Sequence, residues 1–357
     1  MSTEFTALFY LSVIAIAAIL AHQSDRTGHK AGLVAATLLL IFVSGFRGYD
    51  VGQDTLGYKE GVEYFFLNGT QMWNHTFSDG YGWFTRAVLT LCNNYTFLLV
   101  VQAAITCGLF AVRLWDFRKG CSIGFGMFVY AVTEYPLSLC LMCQCLSISL
   151  VFFATRYLDR HQPAIFVLLL VIAALNHTSA LIGLTALALY LFKLESKTKA
   201  QSYGKAMGAI VIFAGGVIAA QMLIDRYARY SVNESEAGLM VVAQALVLAG
   251  SLLLAGYSSK ERRSSMASQT GCSLPLYAFG IVLSASSYVI PNAGRIAYYF
   301  TIFSPVVFGH LVRDSGRNKS AFMLGFLLVV WLLFYAWYAY LLHTGLGIEI
   351  YSFVWMQ

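Results

Sequence analysis

Long apolar segments recur along nearly the whole chain, separated by short polar stretches that hold most of the charge. Segments approaching 20 residues have the length needed to cross a hydrocarbon layer about 30 Å thick. They are continuously apolar and do not alternate with polar residues, which favours transmembrane helices over barrel strands. The pattern predicts ten to twelve spans. In the twelve-span form they are 5–21, 31–46, 93–114, 123–137, 138–157, 164–176, 178–192, 206–224, 238–257, 274–290, 296–312 and 321–343.

Composition supports a membrane protein. Charged residues make up 11% of the 357 positions, against about 25% in a typical soluble domain. The predicted fold is therefore an all-α, polytopic transmembrane helical bundle forming one integral membrane domain, 1–357. Its main polar parts are an outer-face loop, 47–92, and a cytoplasmic loop, 258–273.

The distribution of basic residues predicts the orientation. If the N-terminus lies outside, seventeen of the 23 Lys and Arg residues fall on cytoplasmic loops and six fall outside. This asymmetry follows the positive-inside rule and places both termini on the periplasmic side. The net charge of +6 is then a signature of topology, and no nucleic-acid partner is expected.

Five of the six outer basic residues are arginines, at span edges or in outer loops. An arginine within a bilayer costs about 3 kcal/mol and commonly faces a polar cavity, although a single arginine at a span edge can simply extend its charge to the interface. Guanidinium groups match phosphate oxygens with paired hydrogen bonds. As a group they predict an anion-binding site: Arg47, Arg86, Arg226, Arg229 and Arg295.

Tyrosines accompany these arginines. Tyr298 and Tyr299 follow Arg295 at spacings that share one helical face, and Tyr58 lies in the charged outer loop. Flat aromatic faces are suited to stacking against sugar rings, so we assign these tyrosines to substrate binding.

The candidates for proton transfer are Asp54, in a glycine-containing loop, and His177, in an outer turn. Each has a purely structural alternative, in which Asp54 pairs with Arg47 to fix the loop and His177 is a satisfied hydrogen-bonding residue. The cysteines at 140, 143 and 145 lie within an apolar segment without a neighbouring His or acidic residue. No metal and no cofactor are therefore expected.

Several short motifs together resemble a known family. The first loop contains Arg47, Val51-Gly52, Asp54 and Tyr58, and Arg295 precedes Tyr299 in a late segment. Between them lie Gln144, at the start of a span, and the turn Asn176-His177-Thr178-Ser179. This succession resembles the EpsG-like exopolysaccharide polymerases, relatives of the Wzy O-antigen polymerases. The sequence departs from the family pattern at Cys143, where an arginine is expected, so Gln144 alone is carried over from that dipeptide.

The resemblance implies a GT-C-like helical bundle acting as a metal-independent glycosyltransferase. Such an enzyme joins undecaprenyl-diphosphate-linked oligosaccharides at the periplasmic face of the bacterial inner membrane, for O-antigen, capsule or exopolysaccharide. A chain-length regulator and a flippase of the same pathway are the implied partners. The implied catalytic residues are Asp54 and His177. The implied substrate-binding residues are Arg47, Tyr58, Arg86, Gln144, Arg226, Arg229, Arg295, Tyr298 and Tyr299.

Two other function classes fit the same residues. A flippase for lipid-linked oligosaccharides would also place polar groups near arginines, although such transporters often show paired halves, and none is evident here. A non-enzymatic component of an envelope assembly complex is the third reading. The sugars, the linkage, the stereochemical outcome and the oligomeric state are left open by the sequence.

The topology can be tested with a reporter that is active only in the periplasm. Fused after Gly69, in the outer loop, the reporter should be active. A fusion after Lys197, in a predicted cytoplasmic loop, is the control and should be inactive. The reverse pattern would invert the orientation.

Overall fold

A computed structural model describes residues 2–68, 79–195, 273–287, 293–315, 327–329, 331–333, 335 and 345–357. These residues are predominantly helical, and no strand occurs among them; Arg47 and Phe353 form one isolated antiparallel bridge. The predicted all-α class is confirmed. The predicted spans 206–224 and 238–257 lie outside the described residues, as do Arg226, Arg229 and all of the predicted cytoplasmic loop 258–273 except Ser273.

The first half of the chain forms a helical bundle, and its helices at 3–27, 31–45, 95–116, 123–133 and 163–176 begin within two residues of a predicted span. The helices at 55–68 and 79–91 lie within the predicted outer-face loop 47–92. Local capping explains several of the starts: Asn94 accepts the N–H of Phe97, and Ser122 accepts the N–H of Phe125. The helices are α1 (Thr3–Thr27), α2 (Ala31–Gly45), α3 (Thr55–Asn68), α4 (Asp79–Leu91), α5 (Tyr95–Asp116), α6 (Ile123–Thr133), α7 (Tyr135–Cys140), α8 (Met142–Asp159) and α9 (Pro163–Asn176).

A 3₁₀ helix, Thr178–Gly183, follows α9 and leads into α10 (Leu184–Glu195). The later helices are α11 (Ser273–Ser286), α12 (Ala293–Thr301) and α13 (Ser304–Ser315), and a short 3₁₀ turn, Val354–Met356, lies near the C-terminus. In the bundle, α1 packs against α2 and α6, α2 and α8 pack against α5, α9 packs against α8, and α11 packs against α12.

Among the described residues, two helices are individually long and apolar enough to cross a membrane, α1 and α5. A third span results if α12 and the first part of α13, which meet at a 42° bend, are counted together. Further apolar helices of 10–17 residues include α2, α6, α9 and α11. The structure thus confirms apolar helical spans, whereas the number ten to twelve stays a prediction.

The two chain termini and the first loop meet at one end of the bundle, which we call the loop end. Gly52 donates its N–H to the carbonyl of Gly347 at 2.7 Å, and Gly48 donates to Ser352 at 2.7 Å. The backbone N–H of Tyr351 donates to the hydroxyl of Thr6, in the first turns of α1, at 3.0 Å. The predicted placement of both termini and this loop on one side therefore agrees with the helix packing.

The opposite end, which we call the basic end, carries the turns after α1, α5 and α8. The carboxylate of Asp25 accepts the N–H groups of Ile123 and Gly124 at the start of α6, where the positive end of the helix dipole favours an anion. Arg313, in the last turn of α13, donates to the carbonyls of Arg118 and Cys121. These contacts place predicted cytoplasmic loops together.

Candidate functional site

The site is organised around a break between α7 and α8. Leu141 separates the two helices with φ −84° and ψ 56°, which is not helical backbone. In a continuous helix the carbonyl of Leu139 would accept the N–H of Cys143. Instead, the Leu139 carbonyl accepts from Arg47 Nη2 at 3.2 Å and from the Thr55 hydroxyl at 3.2 Å. The hydroxyl of Tyr58 is hydrogen-bonded to the backbone of Cys143.

The first loop therefore supplies partners to both sides of the break. The thiol of Cys140 lies beside the backbone of Gln53 and Asp54, which adds a third contact. A buried backbone group without a partner costs about 1–3 kcal/mol. Without the loop in this position, the break would lose these partners.

Arg47 is fully buried, at 1% exposure, and its guanidinium is surrounded by groups of the protein. Besides Leu139, it donates to the carbonyl of Val51 at 3.3 Å, the carbonyl of Ser44 at 2.5 Å and the hydroxyl of Thr55 at 3.4 Å. None of these partners is a carboxylate, and the alternative in which Asp54 pairs with Arg47 is wrong for this conformation. The side chain of Arg47 holds the first loop against α7, and its contact with substrate stays a prediction.

Gly52 allows this close approach. Its φ of +91° lies in the left-handed region, and a Cβ at this position would collide with the carbonyl of Leu139. Glycine meets both requirements because it has no Cβ. The Val51-Gly52 pair of the sequence motif thus has a geometric role at the helix break.

Around the start of α8, the structure brings together predicted site residues from three separate regions. Gln144, 4% exposed and in the first turn of α8, donates its side-chain amide to the carbonyl of Arg295 at 2.7 Å. Cys143 donates its thiol to the carbonyl of Asn176 at 2.9 Å. The charges of Asp54 and Arg295 both act on the thiol of Cys140. Sequence positions separated by more than 200 residues therefore meet here.

His177 occupies the turn between α9 and the 3₁₀ helix, outside the predicted spans. Its Nδ1 lies 2.6 Å from the Ser179 hydroxyl, which in turn donates to the Tyr299 hydroxyl at 3.1 Å. Burial lowers the pKa of His177 to about 4, with a smaller contribution from the positive charge of Arg295. The imidazole is therefore neutral at pH 7.

The exposure of each candidate residue shows which side chains are buried in the protein and which are accessible. Arg295 is exposed, and Asp54, Tyr58, His177 and Tyr298 are half-buried. Tyr299 is 1% exposed, so its ring lies within the protein and its hydroxyl fixes the His177 turn through Ser179. Arg295, Asp54, Tyr58, His177 and Tyr298 are therefore the accessible members of the candidate site.

Arg86 does not join this cluster through the described contacts. It is exposed on α4, 5.9 Å from the ring of Trp83, whereas Tyr81 and Thr85 on the same helix are buried. Tyr81 bonds to Gln102 on α5. The exposed and buried faces of α4 thus separate Arg86 from the interior contacts of that helix.

Sequence reasoning missed Thr55 and Ser179 as members of the site. Both are hydroxyl residues directly beside a candidate, Thr55 after Asp54 and Ser179 within the His177 turn. Their positions within the motifs could have indicated that they belong to the site. Their hydrogen-bond partners, Leu139 and Tyr299, are distant in sequence, so the sequence does not indicate which groups they contact. The bond from Ser179 to Tyr299 spans 120 positions.

The model of the EpsG family matches residues 30–353 of the chain. No curated protein and no solved structure matches the chain. The matched region includes the first loop, the break between α7 and α8, the His177 turn and α12. All the described parts of the candidate site therefore lie within it.

The role of Gly52 predicts a large stability loss on substitution. Gly52→Ala should lower the free energy of unfolding by about 3 kcal/mol, because the left-handed φ and the collision with Leu139 both penalise a Cβ. Gly28→Ala is the matched control. It has a φ of +72° in open space and should cost about 1 kcal/mol. Thermal unfolding in detergent micelles measures both, and equal losses would contradict the proposed contact.

The lowered pKa of His177 predicts a pH-dependent stability. Between pH 6.5 and 4 the unfolded chain binds a proton at this histidine more readily than the folded chain does. Wild-type stability therefore falls as the pH decreases through that window. His177→Gln should remove up to about 3 kcal/mol of this loss. Chemical unfolding at several pH values measures it, with His29→Gln as the control for removing a histidine. An unchanged slope in His177→Gln would contradict the assignment.

Proposed function

We propose that this chain, which belongs to the EpsG family, joins undecaprenyl-diphosphate-linked oligosaccharide repeat units at the periplasmic face of a bacterial inner membrane. Family membership identifies a polysaccharide polymerase with glycosyltransferase-like activity. The observation that supports a site at the loop end is the convergence of Asp54, Gln144, His177 and Arg295 at the start of α8. The product would be O-antigen, capsule or exopolysaccharide, and the proposed architecture is a GT-C-like bundle of ten to twelve spans.

In the proposed reaction, an acceptor sugar hydroxyl attacks the anomeric carbon of the donor glycan. The new C–O bond forms as the bond to the lipid diphosphate breaks, and the diphosphate leaves with the bonding electron pair. The proton of the acceptor hydroxyl passes to a base. The enzyme must therefore stabilise negative charge on the diphosphate and orient the acceptor.

Arg295 and the N-terminus of α8 together suit the departing diphosphate. Arg295 is an exposed residue, and its backbone carbonyl accepts the hydrogen bond from Gln144. The first turn of α8 adds the positive end of an 18-residue helix. This arrangement can stabilise a diphosphate with groups of the protein itself, so we propose a metal-independent mechanism that uses no cofactor.

His177 and Asp54 are the proposed bases. A neutral imidazole can accept a proton at pH 7, but a histidine with a pKa of about 4 is a weak base. A diphosphate bound at Arg295 would offset the positive charge that helps lower this pKa. Substrate binding would therefore strengthen His177 as a base, and Asp54, whose charge acts on Cys140 as that of Arg295 does, is the second candidate.

The remaining predicted residues surround this centre in the proposal. Tyr58 and Tyr298, both half-buried, would contact sugar rings, and Tyr299 would position the His177 turn. Arg47 would hold the first loop in place. Arg86, Arg226 and Arg229 are proposed to bind the lipid-linked substrate farther out. A chain-length regulator and a flippase of the same pathway are proposed partners, and both termini are proposed to be periplasmic.

A flippase for the same lipid-linked oligosaccharide is the second candidate, because the chain contains interrupted helices. The break at Leu141 and the 42° bend between α12 and α13 are features found in transporters. At Leu141, however, the backbone groups that lack a helical partner are hydrogen-bonded by Arg47, Thr55 and Tyr58. This occupation favours a fixed scaffold over a substrate pathway.

Reconstituted protein supplied with a lipid-diphosphate repeat unit should produce a ladder of longer glycans. Arg295→Ala should reduce turnover about 10²- to 10³-fold while leaving the fold intact, because the group that binds Gln144 is the backbone carbonyl. Arg160→Ala, at the exposed basic end, is the matched control and should retain activity. Gel separation of the labelled glycans measures elongation.

Two variants, tested in the same elongation assay, distinguish the two proposed bases Asp54 and His177. Asp54→Asn and His177→Gln each remove one proton acceptor, and the base is the one whose loss abolishes the pH dependence of turnover. Wild-type ladders in Arg295→Ala would contradict the proposed anion site. Movement of the lipid across the bilayer without elongation would favour the flippase.

A further inference from the structure

A groove at the basic end lies on the opposite side of the bundle from the proposed polymerase site. It is bordered by α2, α5 and α8, and its volume is about 230 Å³. Its apolar wall includes Val34, Leu38 and Val112, which are 51%, 59% and 46% exposed. Gly108 lies in the wall, and a Cβ there would meet nothing within 4 Å. The groove is therefore open on its outer side and has room for an acyl chain.

Basic groups line the mouth of the groove. Lys30 and Arg156 both contribute, together with Trp115 and Asp116. Asp116 is shared, because one oxygen lies 3.3 Å from Arg156 Nη2 and the other lies 3.5 Å from Arg113 Nη1. The single carboxylate of the lining is thus engaged by two guanidinium groups. The mouth has an excess of positive charge.

The start of α2 is a further feature that favours an anion at this mouth. Lys30 is the N-cap of α2, makes no capping bond with its side chain, and precedes a first turn without an acidic residue. The positive end of the α2 dipole therefore adds to the charge of Lys30.

We propose that this groove binds an anionic phospholipid from the membrane leaflet at the basic end. Its phosphate lies at Lys30 and Arg156, and one acyl chain lies between α2 and α5 over Gly108. A free phosphate would use the mouth alone, and an uncharged lipid would use the apolar wall alone. The presence of both features in one continuous groove points to an amphiphile with an anionic headgroup.

The test measures binding of fluorescent phosphatidylglycerol to the full-length chain in detergent, with phosphatidylcholine and inorganic phosphate as competitors. Lys30→Gln and Arg156→Gln should each weaken phosphatidylglycerol binding about fivefold, the effect of losing one cation near an anionic lipid. Gly108→Leu should abolish binding because its side chain fills open space in the groove. Arg160→Gln, on the same helix end and stacked near Tyr157, is the matched control and should bind as wild type.

The outcomes separate the possible occupants. Preference for phosphatidylglycerol that is lost in Gly108→Leu and reduced in Lys30→Gln supports the proposal. Equal competition by phosphatidylcholine, or full displacement by inorganic phosphate in the wild type, would overturn it. Lys30 is exposed and Gly108 faces open space, so these two variants decide the question even if Arg156→Gln fails to fold. Elongation activity is not part of the readout, so the result is independent of the proposed polymerase reaction.

Discussion

The carbonyl of Leu139 is the group on which the candidate site depends. The break at Leu141 removes its helical partner, and Arg47 and Thr55 replace that partner from the first loop. Burying an arginine is costly unless its donors are satisfied, and here they are met by carbonyls, hydroxyls and a thioether sulfur. The break and the loop therefore stabilise each other.

This mutual dependence determines where chemistry can occur. Because α8 begins at the break, its positively polarised end lies inside the bundle at the loop end, beside the His177 turn and α12. Gln144 donates to the backbone carbonyl of Arg295, which is an exposed residue. The proposed site for a lipid-linked anion thus combines buried, fixed groups with accessible ones, as a preorganised site should.

The two ends of the bundle use arginine differently. At the loop end, Arg47 is buried without a carboxylate partner. At the basic end, Arg113 and Arg156 share Asp116, and Arg113 also pairs with Asp159. The first arrangement joins backbone segments, whereas the second forms a charge network whose mouth can accept a lipid phosphate. The buried position of Arg47 differs from the uniform role in anion binding that the sequence suggests for the outer arginines.

The sequence by itself determined the helical class and the approximate position of many segments, because hydrophobicity is a local property. The predicted segment 164–176 corresponds to α9 at Pro163–Asn176, and 31–46 corresponds to α2 at Ala31–Gly45. The motifs also selected Asp54, Gln144, His177 and Arg295 as candidate site residues. Tertiary structure decided that Arg47 bonds to Leu139 and not to Asp54, and that Tyr299 is buried against Ser179. Such contacts join residues 92 and 120 positions apart, a separation that local sequence patterns do not encode.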